Sequence, residues 1–355
     1  MKIVVLGGGV STERQVSLVT GTSVCRALRS LGHRAVFVDL YLGLEDYDGA
    51  LEALFDAPDG LVGEVSLGKT APDLAQVKAS RRMQGPSRLG KNVLALCALA
   101  DCVFLGLHGA DGEDGKIQAV LDLMGVPYTG SGPLPSAMAM DKAVAKRFME
   151  SAGLLTPAWR ELRYTHADIP RLSRELPVPC AVKVVNGGSS LGVALADTRE
   201  ELEAALEELE HFHSRVIVEQ RIYGRELTQP ILEGEELCAI EIVPPEGSSF
   251  DYVAKYQSGA EGASELCPAP ITPQQQQMLS EAAWKLHRAL GLRVYSRADF
   301  ILDREGCIWC LEVNTLPGMT PNSLIPKSAR AAGIDYPALC SRIVEKSLEA
   351  RREGE

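Results

Sequence analysis

The residues whose types and spacing are best suited to chemistry lie in the stretch Arg297 to Leu324, RADFILDREGCIWCLEVNTLPGMTPNSL. Two apolar-rich runs flank Asp303-Arg304-Glu305-Gly306, a turn-forming tetrapeptide. The sequence therefore predicts a β-hairpin with a four-residue loop. In the register that this loop sets, Arg297 lies opposite Glu312.

The same register sorts the polar side chains of the hairpin, because successive side chains of a strand point to opposite faces. One predicted face carries an arginine, two carboxylates and an amide: Arg297, Asp299, Glu312 and Asn314. Its predicted apolar companions are Ile301, Ile308 and Cys310. Two carboxylates and an amide oxygen are ligands for a hard cation such as Mg²⁺, with phosphate oxygens and water completing the octahedron. This face is the first indication of nucleotide chemistry.

The N-terminal segment must supply a scaffold for such a site. Lys2 to Leu6 predicts a strand, a glycine turn and a helical pattern follow, and Ala35 to Val38 predicts the next strand. This order is typical of a parallel α/β sheet. Thr12 and Gln15 have the spacing of a capping box. Glu13 lies at the same helix start, where a carboxylate complements the helix dipole, and its role is open between a structural acid and a site residue.

A second strand of this sheet ends in a loop of unusual composition. Cys102 to Leu107 predicts a buried strand, and His108 to Gly115 (HGADGEDG) follows it directly. In open α/β sheets, ligands bind at the carboxyl ends of the strands. Three glycines beside His108 also indicate close approach of the backbone to another group.

The turn-rich segment 41–92 contains a P-loop pattern, Gly63 to Thr70 (GEVSLGKT). A P-loop needs a buried strand before its first glycine and a helix that starts at its lysine. Here APDG precedes the pattern by two residues and Ala71-Pro72-Asp73 follows it. The context does not support a phosphate-binding loop.

The middle of the chain offers three lysines. Lys142 and Lys146 lie in a predicted helix, where lysines usually face solvent without a specific role. Lys183 is centred in the β-branched run AVKVV, so its ammonium group must reach an anion or water at a sheet face. The small-residue loop Asn186 to Gly192 follows and can fold over phosphates with its backbone N–H groups.

Composition excludes several classes of protein. The chain has 355 residues, 46% of them hydrophobic, and a net charge of −11, which argues against nucleic acid or an anionic membrane as the main partner. No apolar run approaches the length of a membrane span, and the apolar start is too short for a signal peptide. We therefore expect a cytoplasmic protein. Cys307 and Cys310 form the only Cys-x-x-Cys pair, and on a strand they point to opposite faces, which argues against a zinc or redox site.

Eight motifs in order carry a resemblance to a known family. They are HGADGEDGKIQ, PYTGSG, AMDK, VKVVNGGSSLGV, VEQRIYGRELT, YVAKY, SRADF and LEVNTLPGMTPNSLIP. Together they resemble the D-alanine–D-alanine ligase family of ATP-grasp enzymes over nearly the whole chain except 41–92. The resemblance implies an α/β protein with an ATP-grasp fold and an N-terminal parallel α/β (pre-ATP-grasp) domain. It implies domains at 1–132, 133–222 and 223–355, the last carrying the metal and substrate site.

The resemblance also implies roles for individual residues. Residues matched to nucleotide binding are Lys142, Lys183, Ser190, Glu219, Gln220, Ile222, Glu226 and Lys255. Residues matched to two Mg²⁺ (or Mn²⁺) ions are Asp299, Glu312 and Asn314. Residues matched to catalysis are Glu13, His108, Ser189, Tyr256, Arg297 and Gly318. Residues matched to the amino-acid substrates are Glu13, His108, Ser323 and Leu324.

The implied activity is ATP-dependent joining of two D-alanines through an acyl phosphate, which supplies a peptidoglycan precursor. The resemblance also implies a cytoplasmic enzyme that is a homodimer, as is usual in this family. Gln220 departs from the family, which often has lysine there. Tyr256 after Lys255 is similar to the dipeptide-forming branch. An ATP-grasp ligase of different specificity, making D-alanyl-D-lactate, D-alanyl-D-serine or another product, is the main alternative.

Overall fold

The structure is a computed structural model that describes residues 1–63, 72–187, 192–211, 215–244 and 263–352. Four of the residues assigned above by resemblance lie outside these ranges: Ser189, Ser190, Lys255 and Tyr256. The P-loop pattern lies outside them as well, apart from Gly63.

A small parallel sheet opens the chain. Its strands are β1 (Lys2–Gly7), β2 (Arg34–Asp39) and β3 (Cys102–Leu105), in the order β2-β1-β3. The accompanying helices are α1 (Arg14–Ser30), α2 (Leu74–Ser80), α3 (Val93–Cys97) and α4 (Lys116–Leu123), with a 3₁₀ helix at Leu51–Asp56. The apolar strands are buried, as parallel sheets require. The predicted parallel α/β opening is confirmed.

The start of α1 differs from the prediction. Glu13 is the N-cap residue and makes no side-chain capping bond, so Thr12 lies outside the helix and the predicted capping box is wrong. The preceding turn is fixed by close packing instead. Gly8 has φ +71°, and a Cβ atom there would lie 2.2 Å from Oδ2 of Asp39. Only glycine fits this turn, which brings Arg14 within 2.6 Å of Asp39.

The second sheet is antiparallel. Its strands are β4 (Trp159–Arg163), β5 (Cys180–Val184), β6 (Val193–Ala196) and β7 (Arg215–Gln220), in the order β4-β7-β5-β6. Helices α5 (Pro133–Met140) and α6 (Lys142–Ser151) precede it, and α7 (Ile169–Glu175) and α8 (Arg199–Glu210) cover one face. A 3₁₀ helix at His166–Asp168 leads into α7. Because α7 and α8 bury that face, the opposite face can contribute to a cleft.

The third sheet carries the predicted hairpin. Its strands are β8 (Arg225–Leu232), β9 (Ile240–Val243), β10 (Ser264–Leu266), β11 (Tyr295–Leu302) and β12 (Ile308–Asn314), in the order β10-β9-β8-β11-β12. Helix α9 (Pro273–Ala289) packs on one face through Leu279, Ala283 and Leu286, against Phe300 of β11. The other face of β11 and β12 holds the polar residues of the hairpin.

Two helices close the chain, α10 (Leu324–Ala331) and α11 (Tyr336–Arg352). Buried side chains of α11, among them Leu339 and Ile343, belong to the same apolar cluster as the strands of the first sheet. The end of the chain therefore packs on its beginning, which holds the exit of the hairpin against the N-terminal sheet. The proposed boundaries at 132 and 222 remain predictions. Within the described ranges, no helix is both long and apolar enough to cross a bilayer.

Candidate active site

The register of the hairpin differs from the predicted one. Arg297 pairs with Asn314, and Asp299 pairs with Glu312. The register shifts between Asp299 and Phe300, where β12 contains one extra residue, Leu311. The prediction that Arg297 faces Glu312 is therefore wrong, because the loop between the strands, Asp303 to Cys307, is one residue longer than predicted and the β-bulge adds a second residue to the shift.

The apolar part of the predicted face is also wrong, because the longer loop shifts the pairing of the residues between it and the bulge. Cys310 is buried on the core side with Phe300, and Ile308 packs on the same cluster, whereas Leu311 lines the cleft beside Glu312. The four polar residues lie on the cleft side of the bulge and keep a common face. Cys307 is exposed and Cys310 is buried, so the two thiols do not form a paired site.

Asp299 is the centre of this polar face. Arg297 donates from Nε to Oδ1 over 2.9 Å and from Nη2 to Oδ2 over 2.8 Å. Thr228 donates to Oδ1 over 2.6 Å, and the amide of Asn314 lies 3.4 Å from Oδ2. A carboxylate held by several donors has a fixed orientation, so the site is organised before any ligand binds.

The donor set of this face fits magnesium. Asp299 and Glu312 supply carboxylate oxygens and Asn314 an amide oxygen, which are hard ligands. Among the described residues, no group of three or more His, Cys, Asp or Glu side chains could enclose a metal. A set of two carboxylates and one amide leaves positions for phosphate oxygens and water, the usual arrangement for magnesium at nucleotides.

A cleft of about 690 Å³ lies between the second and third sheets. Residues of both sheets and of the segment that joins them line it, including Lys183, Glu219, Gln220, Ile222, Glu226, Asp299 and Glu312. Its volume is within the range of sites for nucleotide-sized ligands. The cleft thus brings together seven of the residues assigned by resemblance to nucleotide or metal binding.

Two lysines approach the polar face from the other side of the cleft. Lys183 is buried and forms an ion pair with Glu219. Burial disfavours its ammonium form, but the carboxylates of Glu219 and Glu312 outweigh this and raise the pKa of Lys183. Lys142 lies 3.0 Å from Glu312 and donates to the carbonyl oxygen of Gly187 over 2.7 Å. Both lysines are placed to meet phosphate oxygens.

The sequence favoured a solvent-facing position for Lys146 on its helix, and this expectation is wrong. It is fully buried, and its ammonium group lies 2.6 Å from Oε2 of Glu219 and donates to Thr156 over 2.8 Å. Burial lowers the pKa of Lys146, and the charge of Glu219 opposes this effect. The four-residue spacing from Lys142 was the available signal, since residues four apart share a helix face.

His108 connects the N-terminal sheet to the exit of the hairpin. Its Nδ1 lies 3.0 Å from the carbonyl oxygen of Leu316, and its Nε2 lies 2.9 Å from the hydroxyl of Thr20. A carbonyl oxygen only accepts, so Nδ1 carries the proton and Thr20 donates to Nε2. Burial lowers the pKa of His108, which keeps the ring neutral near neutral pH.

Two acidic side chains lie close to this histidine. Glu13 is buried, and a Cβ atom built on Gly109, whose φ is +69°, would lie 2.9 Å from its Oε2. Glu113 is also buried and accepts a hydrogen bond from the N–H of Gly109 over 2.8 Å. Burial, and then the charge of Glu13, raise the pKa of Glu113 to about 8. In the sequence, the only signal for Glu113 is its place in the glycine-rich acidic loop, so its proximity to Glu13 was not predicted.

The raised pKa of Glu113 predicts a pH-dependent stability. The folded protein keeps a proton that the unfolded chain releases, so stability falls as pH rises from about 4.5 to about 8. Glu113→Gln cannot ionise and keeps the acceptor oxygen. We expect urea unfolding to show the variant gaining roughly 3 kcal/mol relative to the native chain between pH 5 and pH 8. Glu349→Gln, at an exposed position of α11, is the surface control, and parallel curves for Glu113→Gln would contradict the assignment.

The residues predicted to bind the second substrate, Ser323 and Leu324, lie at the start of α10. Ser323 is its N-cap residue, and its hydroxyl contacts the hydroxyl of Thr320 over 2.8 Å rather than capping the helix. A Cβ atom on Gly318 would lie 3.0 Å from that hydroxyl, so the hairpin exit passes directly over the helix start. The N-terminus of a helix favours a carboxylate, which suits an incoming amino acid.

The architecture and the site together define a class. A parallel N-terminal sheet precedes two antiparallel sheets, and these enclose a cleft with lysines on one side and carboxylates on the other. This is the arrangement of the ATP-grasp class that the sequence analysis predicted.

Comparison with known proteins identifies the family within this class. The family model for the D-ala D-ala ligase N-terminus matches residues 2–131, and that for the D-ala D-ala ligase C-terminus matches residues 148–345. The D-alanine–D-alanine ligase of Lacticaseibacillus casei is 38% identical, covering 100% of this chain and 98% of its own length. That of Pediococcus pentosaceus is 40% identical, covering 97% of each chain. The chain belongs to the D-alanine–D-alanine ligase family.

Solved structures agree with this assignment. The D-alanine–D-alanine ligase of Bacillus anthracis complexed with ATP is 31% identical, with a TM-score of 0.72, covering 100% of this chain and 99% of its own. The VanG D-Ala:D-Ser ligase of Enterococcus faecalis is 27% identical, with a TM-score of 0.72, covering 98% and 99%. The ATP-grasp fold is confirmed over the full length.

Proposed function

We propose that the protein joins two D-alanines into D-alanyl-D-alanine, a peptidoglycan precursor, and converts ATP to ADP and phosphate. The observation that carries this proposal is the polar face of the hairpin, Asp299 with Glu312 and Asn314, opposite Lys183 across a nucleotide-sized cleft. Family membership supports the choice of D-alanine, because the similar ligases of known name act on it.

The first step is transfer of the γ-phosphoryl group of ATP to the carboxylate of one D-alanine. Lys142 and Lys183 neutralise phosphate charge on one side of the cleft. Two magnesium or manganese ions, held by Asp299, Glu312 and Asn314, would supply further charge neutralisation at the phosphate oxygens. Lys183, Glu219 and Asp299 are buried at the cleft, so their charges act with little screening by water.

The second step is attack of the amine of the other D-alanine on the acyl phosphate, with loss of phosphate. The tetrahedral intermediate carries an oxyanion, which needs donors already in place. Arg297 is buried, and its two hydrogen bonds to Asp299 fix its guanidinium plane. We assign the oxyanion to Arg297 and to the backbone N–H of Gly318.

The two amino acids are bound at opposite ends of this centre. Glu13 receives the ammonium group of the first D-alanine, and neutral His108 lies near its carboxylate without adding positive charge. Ser323 and Leu324, at the start of α10, receive the carboxylate of the second. Glu219, Gln220, Ile222 and Glu226 line the cleft where the adenosine would lie. The roles of Ser189, Ser190, Lys255 and Tyr256 remain predictions.

The test is ADP release with a panel of D-amino acids, L-amino acids and D-lactate, followed by mass measurement of the products. We expect turnover with D-alanine alone and a product with the mass of D-alanyl-D-alanine. A depsipeptide or a mixed D-alanyl-D-serine product would move the enzyme to a different specificity within the family. ADP release on D-alanine with no dipeptide would contradict the proposed function.

A cytoplasmic location and a homodimeric state complete the proposal. The substrates of this reaction include ATP, which is a cytoplasmic metabolite, and the negative net charge fits neither nucleic acid nor an anionic membrane as partner. The homodimer follows from the family resemblance, and its measurement is sedimentation equilibrium of the purified chain.

A further inference from the structure

A buried lysine with no role assigned from the sequence lies directly behind the nucleotide cleft. Lys146 is fully buried in α6, and it does not line the cleft itself. Burying an ammonium group is unfavourable unless it is paired and hydrogen-bonded. The partners of Lys146 therefore indicate what it does.

The first partner is the carboxylate of Glu219, which lines the cleft. Its two oxygens are divided between two cations: Oε1 pairs with Lys183, and Oε2 lies 2.6 Å from Lys146. Within the part of the chain that the structure describes, Oε2 has no other hydrogen-bond partner, so the ion pair with Lys146 is what holds it. The three groups carry one negative and two positive charges, so Lys146 offsets the charge of Glu219 beside Lys183, in a cleft whose lining also includes the acidic side chains of Glu226 and Glu312.

The second partner connects the two sheets. Lys146 donates to the hydroxyl of Thr156, which donates to the carbonyl oxygen of Cys310 over 2.8 Å. The N–H of Cys310 donates to the carbonyl oxygen of Leu155, also over 2.8 Å. Cys310 lies on β12, two residues before Glu312. One chain of contacts therefore runs from Glu219 on β7, through Lys146, to the strand that carries the metal face.

We propose that Lys146 is a positioning residue for the nucleotide: it divides the charge of Glu219 so that Lys183 stays available to phosphate, and it fixes the spacing of β7 and β12. This inference rests on the proposed function only for the nature of the polyanion. Without Lys146, Glu219 pairs with Lys183 alone, and one positive charge beside the cleft is lost.

The expected result is a selective loss of nucleotide affinity. Lys146→Met keeps most of the length of the side chain and should weaken binding of the non-hydrolysable analogue AMP-PNP by about 10-fold, while the KM for D-alanine at saturating ATP changes less than about two-fold. Thr156→Val keeps both charges and removes the side-chain link from Lys146 to β12, whereas the backbone bond between Cys310 and Leu155 remains, so we expect a smaller loss of about three-fold. Arg147→Met, on the exposed face of the same helix, is the matched control and should bind normally.

A double-mutant cycle with Glu219→Gln distinguishes positioning from a merely structural role. If Lys146 acts through Glu219, Lys146→Met added to Glu219→Gln should weaken AMP-PNP binding by less than about two-fold. Additive losses, or normal AMP-PNP affinity of folded Lys146→Met, would overturn the proposal. If Lys146→Met does not fold, Thr156→Val decides, and unchanged affinity in that variant is then the contradicting result. The AMP-PNP titration contains no amino acid, so a result that contradicts the role of Lys146 is distinguishable from the failure of the native protein to make the dipeptide.

Discussion

Asp299→Asn and Glu312→Gln are expected to abolish ATP-dependent turnover while the chain still folds. Both substitutions keep the size of the side chain and remove the charge that a divalent cation requires. Charge neutralisation at the transferring phosphoryl group contributes several kcal/mol, so each variant should lose roughly 10³-fold in kcat. The measurement is ADP release at saturating ATP and D-alanine, with circular dichroism and urea unfolding as the test of folding.

The matched control lies on the same hairpin. Asp303 accepts from the N–H of Cys307 over 2.8 Å and from the indole N–H of Trp309 over 2.7 Å, at the turn rather than in the cleft. Asp303→Asn makes the same chemical change there and should lower stability slightly with turnover unchanged. An active Asp299→Asn/Glu312→Gln double variant would show that the polar face is not the metal site.

The polar face itself was predictable from the hairpin, and its register was not. Alternation along β11 and β12 sorts Arg297, Asp299, Glu312 and Asn314 correctly even though the predicted pairing was shifted. The reason is that the longer loop and the bulge at Leu311 each shift the pairing by one residue, and a total shift of two returns Glu312 and Asn314 to the predicted face. Neither the extra loop residue nor the bulge can be recognised within a run of apolar residues, so the exchange of Cys310 and Leu311 between faces could not be predicted.

The contacts that join distant parts of the chain could not be predicted from the sequence either. The bond from His108 to the carbonyl of Leu316 spans 208 residues, and the buried pair of Lys146 and Glu219 spans two elements. Composition and periodicity predict which elements form, but a buried charge can be recognised only when the position of its partner in the fold is known. For this reason the strand lysine Lys183 was found by its apolar surroundings, and Lys146 and Glu113 were missed.

Arg297→Lys tests the oxyanion assignment and is expected to reduce kcat by about 10² to 10³-fold. Lysine keeps the charge but has a single nitrogen, so it cannot bind both oxygens of Asp299 and still present a fixed donor to the intermediate. Arg225 offers a matched control, because it binds Glu241 through two bonds of 2.7 and 2.6 Å in the same sheet and lies outside the cleft lining. Arg225→Lys should leave kcat unchanged. If both variants lose activity equally, the loss reflects the sheet and not the intermediate; if Arg297→Lys retains full kcat, another group stabilises the oxyanion.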